Sequence, residues 1–122
     1  MLPVPLHRWR LWHRGFNQSL LIASHIAREL GLPVDPFLLR RIRATRPLRA
    51  MGPRDRERMV GGAFAIDPNA NDRLKGKSII LVDDILTSGA TARACTQVLK
   101  REGAAEVHLL CWARVLDSAA GN

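Results

Sequence analysis

The sequence contains the segment Ser78-Ile-Ile-Leu-Val-Asp-Asp-Ile-Leu-Thr-Ser-Gly-Ala-Thr91, in which an apolar run is followed by two acids and then by small and hydroxylated residues. The run Ile79–Val82 is apolar and rich in β-branched residues, which is typical of a strand covered on both faces inside a parallel sheet. Ligands of open α/β sheets bind beyond the carboxyl ends of such strands. We therefore expect Asp83 and Asp84 to lie in a ligand site.

The residues that follow the two acids favour a bound phosphate. The loop Thr87–Thr91 leads into a predicted helix, and backbone N–H groups at a helix N-terminus can donate hydrogen bonds to an anion, together with Thr and Ser hydroxyls. Asp83 and Asp84 can accept hydrogen bonds from vicinal hydroxyls. An ordinary buried strand and turn is the alternative, but adjacent acids at the end of such a strand are costly to bury. A phosphorylated ribose therefore fits this segment best.

The same segment resembles the phosphoribosyl pyrophosphate (PRPP) signature of type I phosphoribosyltransferases. The resemblance implies that Asp83 and Asp84 bind the ribose 2′ and 3′ hydroxyls. It implies that the 5′-phosphate is bound by Thr87, Ser88, Gly89, Ala90 and Thr91. It also implies Mg²⁺ as a cofactor supplied with PRPP, near Asp83 and Asp84 and held indirectly. The reaction of these enzymes transfers the phosphoribosyl group to a nitrogen nucleophile and releases pyrophosphate.

Two further stretches narrow the resemblance to one branch of that superfamily. Val4-Pro5-Leu6 is followed by Arg14-Gly15-Phe16-Asn17-Gln18, and Thr45–Phe64 is rich in arginine and ends in Gly62-Ala63-Phe64. Both resemble the competence protein F (ComF) type. The similarity extends over residues 2–115, and it implies a role in the uptake and use of single-stranded DNA.

The chain also departs from the ComF pattern. Members usually begin with a four-cysteine zinc module, whereas this sequence begins at the first strand and has no Cys-x-x-Cys pair, so no zinc site is predicted. Leu48 and Met59 stand where the family commonly has Gln and Asn, which removes polar groups from the loop expected to close over the substrate. An N-terminally truncated fold should expose an apolar face of the sheet. We expect a second subunit, or the rest of a longer protein, to cover that face.

The chain of 122 residues is predicted to form one α/β domain, residues 1–122, with a mainly parallel sheet flanked by helices. Asn17 is a predicted N-cap for a helix whose apolar face includes Leu20, Ala23, Ala27 and Leu30. A second helix is predicted at Thr91–Arg101, with Ala94, Val98 and Leu99 directed inward. The other predicted elements are strands at 2–6, 34–39, 63–66, 79–82 and 107–113, a turn-rich connector at 67–72, a mobile loop at about 43–60 and a tail at 117–122.

Positive charge is concentrated in the first half of the chain. The net charge is +8, and residues 1–60 hold twelve Arg against four acids, whereas residues 61–122 hold seven basic and seven acidic residues. The planar guanidinium fork of arginine suits phosphate oxygens. The imbalance therefore indicates an anionic partner.

The arginines allow three interpretations. Arg8, Arg10 and Arg14 are candidates for binding pyrophosphate. A nucleic-acid surface is the second interpretation, in which tryptophans stack on bases and arginines contact phosphates; its candidates are Trp9, Trp12, Arg40, Arg41 and Arg43. The third interpretation is a solvated surface without a ligand.

Two functions are compatible with the sequence: a phosphoribosyltransferase acting on an unknown acceptor, or a non-catalytic DNA-uptake protein that keeps the PRPP pocket as a ligand site.

Cys95 and Cys111 lack metal-ligand spacing and are interpreted as reduced thiols, which favours the cytoplasm. The sequence shows no signal peptide and no apolar run long enough for a membrane span.

Overall fold

The computed structural model describes residues 1–5, 17–42, 54, 62–86 and 89–114. The elements in chain order are β1 (Leu2–Pro3), α1 (Gln18–Leu30), β2 (Leu39–Arg41), β3 (Phe64–Ile66), α2 (Asn71–Leu74), β4 (Ser78–Leu86), α3 (Ala90–Arg101) and β5 (Glu106–Arg114). The predicted loop at 43–60, apart from residue 54, and the tail at 117–122 lie outside the described residues.

A three-stranded parallel sheet in the order β1-β4-β5 forms the centre of the fold. Leu2 of β1 is aligned with Leu81 of β4, which in turn is aligned with Leu109 of β5. Strand β4 therefore has a neighbour on each side, as its apolar sequence predicts. The predicted α/β class with a parallel sheet flanked by helices is confirmed.

Alternating residues of β4 direct side chains to the two faces of the sheet. On one face, Ile79 and Leu81 pack with Cys95 and Leu99 of α3 in the main apolar cluster, which also includes residues of β2, β3 and α2. Val82 faces the other side, where α1 packs on β1 and β4 and buries Ala23 and Ala27. The sheet is thus covered on both faces at β4.

Local sequence signals set the bounds of α1. The side chain of Asn17 caps its N-terminus by accepting a hydrogen bond from the backbone N–H of Ser19, and Gly31 ends it in the left-handed conformation at φ 68°. Both predicted ends are confirmed. The expectation for Leu30 is wrong, because the side chain of this last helical residue is 61% exposed.

Strands β2 and β3 are not part of the parallel sheet. They form a separate antiparallel pair in which Leu39 is aligned with Ile66 and Arg41 with Phe64. The predicted strand at 34–39 therefore starts too early. Its first half is a turn instead, because Oδ1 of Asp35 accepts hydrogen bonds from the N–H groups of Phe37 and Leu38.

Other predicted bounds change slightly. Strand β4 continues through Asp83 and Asp84 to Leu86, so the two acids lie in the last part of the strand and not after it. The turn-rich connector at 67–72 runs into the short helix α2. Within the described residues, no helix has the length and apolar character needed to cross a membrane.

Candidate functional site

The candidate site lies at the carboxyl end of β4, where Asp83 and Asp84 occupy consecutive positions. Asp83 is aligned with Cys111 of β5 and is only 9% exposed, whereas Asp84 is half-buried. Consecutive strand residues alternate between the two faces of the sheet, and here the first carboxylate is the more buried of the two. The two acids therefore have different environments although they are adjacent.

The pKa of Asp83 is higher than that of an ordinary carboxyl group. Burial raises its pKa to about 7, and both a hydrogen bond and the negative charge of Asp84 add to the shift. The backbone N–H of Asp84 donates to Oδ1 of Asp83 at 2.9 Å, and the Ser19 hydroxyl also hydrogen-bonds to this carboxylate. Both contacts favour the ionised form of Asp83, but they offset only part of the rise in its pKa. The carboxyl group is thus poised to change charge near neutral pH.

The N-terminus of α3 is close to the two acids along the chain. Gly89 is its N-cap with φ 82°, and the backbone N–H of Arg93 donates to the Gly89 carbonyl at 2.9 Å. Ala90 is buried and Thr91 is half-buried. Thr87 and Ser88 lie outside the described residues, so their predicted contacts with a phosphate stay predictions. The described part of the loop does place a helix N-terminus just beyond the strand.

Arg93 is a residue of this region that sequence reasoning missed. A Cβ atom built on Gly89 would lie 3.1 Å from Nη1 of Arg93 and 3.9 Å from Cδ1 of Leu86. The guanidinium therefore packs over the glycine at the start of the helix. The spacing of four residues between Gly89 and Arg93, one helical turn, was the signal that could have found it.

Cys95 of α3 is close enough to Asp83 to interact with its charge. It is fully buried and free, and its thiol has a raised pKa because of burial and, second, the charge of Asp83; the charge of Arg41 acts in the opposite direction. Such a thiol is unreactive. The prediction of a reduced core cysteine is confirmed for Cys95, while Cys111 is free and half-buried.

The two arginines of β2 have different surroundings. Arg40 is exposed and forms an ion pair of 3.5 Å with Asp67. Arg41 is half-buried, and its Cζ lies 5.2 Å from the centroid of the Phe64 ring. Asp67 also pairs with Arg73, whose guanidinium binds Asp35 as well. Asp35 and Asp67 therefore already neutralise part of the positive charge near the β2–β3 pair.

The remaining basic and aromatic candidates lie outside the described residues. They are Arg8, Trp9, Arg10, Trp12, Arg14 and Arg43. Whether they bind pyrophosphate or nucleic acid stays a prediction.

The donor set fits the Mg²⁺ that the resemblance implies. Mg²⁺ prefers hard oxygen ligands, commonly takes only one or two carboxylates, and completes its shell with water and substrate phosphates. Asp83 and Asp84 supply carboxylate oxygens at the site. Among the described residues, there is no group of three or more His, Cys, Asp or Glu side chains that could hold a metal ion. Binding of Mg²⁺ together with PRPP at these two carboxylates stays a prediction.

Comparison with known families places this arrangement in a class. The phosphoribosyl transferase domain model matches residues 17–120, which include β4, the acids and α3. The chain belongs to this family.

The curated relatives narrow the assignment. The chain is 36% identical over 116 residues to the DNA utilization protein YhgH of Salmonella typhi and 30% identical over 114 residues to competence protein F of Haemophilus influenzae. These matches cover 95% and 93% of this chain and 49% of each relative, so the chain spans about half the length of these curated relatives. The resemblance to the ComF type is confirmed.

Two more distant similarities were found. The amidophosphoribosyltransferase of Staphylococcus aureus is 36% identical over 100 residues, which is 76% of this chain and 18% of that protein. The crystal structure of TT1426 from Thermus thermophilus aligns with a TM-score of 0.49 at 17% identity, over 95% of this chain and 74% of that one.

Proposed function

We propose that this chain binds PRPP at the carboxyl end of β4 and transfers the phosphoribosyl group to a nitrogenous acceptor, with release of pyrophosphate. The observation that carries the proposal is the succession along one chain segment of two carboxylates and a helix N-terminus. Strand β4 ends at Leu86 and α3 begins at Ala90. Acceptors for sugar hydroxyls and donors for a phosphate are therefore available within the same short segment.

Each part of the segment has a role in this proposal. The carboxylates of Asp83 and Asp84 accept hydrogen bonds from the ribose 2′ and 3′ hydroxyls. The N–H groups at the start of α3 donate to the 5′-phosphate. The guanidinium of Arg93 adds positive charge beside the loop.

In the proposed reaction a bond forms between C1 of the ribose and the acceptor nitrogen while the bond from C1 to the pyrophosphate oxygen breaks. The departing pyrophosphate takes the electron pair, and the ribose passes through an oxocarbenium-like transition state. The protein contributes by positioning the ribose and by charge stabilisation. Bound Mg²⁺ would neutralise charge on the pyrophosphate. Arg8, Arg10 and Arg14 are the candidate side chains for the same group.

Isothermal titration calorimetry with PRPP and Mg²⁺ tests the ligand. We expect binding by the native chain and its loss in the double variant Asp83→Asn/Asp84→Asn. Asp72→Asn is the matched control, since this acid is exposed on α2. Equal affinities of the native chain and the double variant would refute the proposed ribose site. Incubation of the native protein with PRPP and a panel of purines, pyrimidines and amines, followed by a pyrophosphate assay, tests turnover.

A second candidate function is the binding of single-stranded DNA as part of a competence system, with PRPP as a regulatory ligand. Two observations support it: the DNA-utilization and competence names of the relatives, and the excess of twelve Arg over four acids in residues 1–60. Both candidates place the chain in the cytoplasm, where reduced thiols persist.

Salt dependence of binding tests the second function. We expect the affinity for a single-stranded oligonucleotide to fall steeply with salt. It should also fall when Arg8, Arg10 and Arg14 are all changed to Ala. A triple change of the exposed lysines Lys75, Lys77 and Lys100 to Ala removes the same charge elsewhere and should have a smaller effect. A flat salt response, or equal losses in the two triple variants, would count against a specific DNA surface in the first half.

A further inference from the structure

The last strand, β5, exposes large apolar side chains. Leu110 and Trp112 lie on the face of the sheet where α1 packs, and they are 38% and 79% exposed, because α1 lies over β1 and β4. Leu109, on the other face, is 40% exposed. Leu110 and Trp112 together form an apolar patch on one face of the sheet, of the kind that marks an interaction surface.

Strand β5 is also an edge of the sheet. It pairs with β4 on one side, and within the described part of the chain no strand pairs with its other side. Its nine residues extend over about 30 Å. Proteins usually protect such edges with proline, charged side chains or a bulge, and the central residues Leu109–Trp112 include none of the protecting residue types. The opposite edge differs, since Pro3 and Pro5 have no N–H groups to donate.

We propose that β5 binds β5 of a second copy of this chain, antiparallel, around a two-fold axis that passes Leu110. Such an interface uses the same surface on both copies. In this register Leu110 faces its own counterpart and His108 faces Trp112. Because residues of equal parity meet on the same face, the exposed apolar side chains of the two copies form one continuous strip. The two three-stranded sheets join into one.

The charges along β5 favour a second copy as the occupant. Glu106 lies four residues before Leu110 and Arg114 lies four residues after it, so the antiparallel register aligns an acid with an arginine at both ends. The charges of Glu106 and Arg114 cancel within each copy of the strand. The excess of +8 lies in residues 1–60, whereas residues 61–122 are balanced, so the half of the chain that contains β5 adds little repulsion. The strand is thus complementary to itself.

Sedimentation equilibrium tests the proposal. We expect the native chain to have twice the 13.6 kDa mass of one copy. The change Leu110→Lys should raise the dimer dissociation constant by at least about tenfold, because both copies lose a buried leucine and gain facing like charges. Leu21→Lys, the same change at an exposed leucine of α1, should leave the constant within about twofold. A monomeric native chain, or equal effects of the two changes, would overturn the proposal.

A charge exchange tests the register and does not depend on the leucine variant. Glu106→Arg and Arg114→Glu should each weaken the dimer, and the double variant should restore it. Glu106 also contacts Ser78 and His108 within one copy. Those contacts are lost in the double variant as well, so recovery of the dimer must come from contacts between copies. Failure of the double variant to recover would exclude the proposed register.

Discussion

The backbone N–H of Asp84 donates a hydrogen bond of 2.9 Å to Oδ1 of Asp83, so Asp84 acts on Asp83 through the main chain as well as through its charge. The hydrogen bond favours the ionised form of Asp83, whereas burial and the Asp84 carboxylate favour the protonated form and raise its pKa to about 7. A single carboxyl group therefore couples pH to ligand binding and to stability, in opposite directions.

Binding of PRPP should strengthen as the pH rises through about 7. An ionised Asp83 accepts hydrogen bonds from ribose hydroxyls, whereas the protonated form has lost part of that capacity. Calorimetric titrations between about pH 6 and pH 8 measure the effect. The phosphates of PRPP titrate in this range too, so Asp83→Asn is the control that isolates the protein's contribution. Parallel pH profiles of the native chain and this variant would contradict the assignment.

The free energy of unfolding should fall as the pH rises from about 4 to about 7. The folded protein retains a proton on Asp83 that the unfolded chain, with a carboxyl pKa of 3.8, has released. Because the folded state binds more protons in this window, the contribution of Asp83 to stability is present at low pH and is lost as the pH approaches 7. The limiting slope is about 1.4 kcal/mol per pH unit.

Urea denaturation at pH values within and above that window measures this slope. Asp83→Asn should lack it, whereas Asp72→Asn should keep it, because Asp72 is exposed on α2. A slope that survives in Asp83→Asn would have to come from another group.

The elements with strong local signals could be predicted from the sequence. The apolar run in β4 needs neighbours on both sides, and Asn17 and Gly31 supply the chemistry that begins and ends α1. The same reasoning predicts the position of the candidate site, since acids at the carboxyl end of a central parallel strand lie where ligands bind.

Features that depend on tertiary contacts could not be predicted. Strand β2 exists because Leu39 and its neighbours pair with Phe64–Ile66, more than twenty residues away, and no local pattern encodes that pairing. Likewise, the packing of Arg93 over Gly89 is decided by the side-chain conformation at the start of α3 and not by residue type alone.

Asn17 should stabilise the fold through two separate hydrogen bonds. Its Oδ1 accepts from the Ser19 N–H at 3.0 Å, and its Nδ2 donates at 3.2 Å to the carbonyl of Val4, the residue that follows β1. Asn17→Ala removes both and should cost about 1–2 kcal/mol of unfolding free energy.

Asn17→Ser separates the two hydrogen bonds, since serine can cap the helix but is too short to reach Val4. We expect it to lose only about 0.5–1.5 kcal/mol, the usual range for one hydrogen bond. Urea denaturation of the three proteins measures both steps. Equal losses for Ala and Ser would show that the cap itself contributes nothing.

Gly89 and Gly31 form a matched pair for testing the phosphate loop. Both adopt positive φ, 82° and 68°, so an alanine at either position should cost about 1–2 kcal/mol through backbone strain. Only at Gly89 would the added Cβ also meet Arg93, 3.1 Å from Nη1, whereas nothing lies within 4 Å of a Cβ at Gly31. We therefore expect similar losses of stability but a loss of PRPP affinity in Gly89→Ala alone. Denaturation and calorimetry on the same two variants measure both quantities. If Gly31→Ala weakened PRPP binding as much as Gly89→Ala, the effect would reflect general destabilisation, and the start of α3 would have no special role in binding.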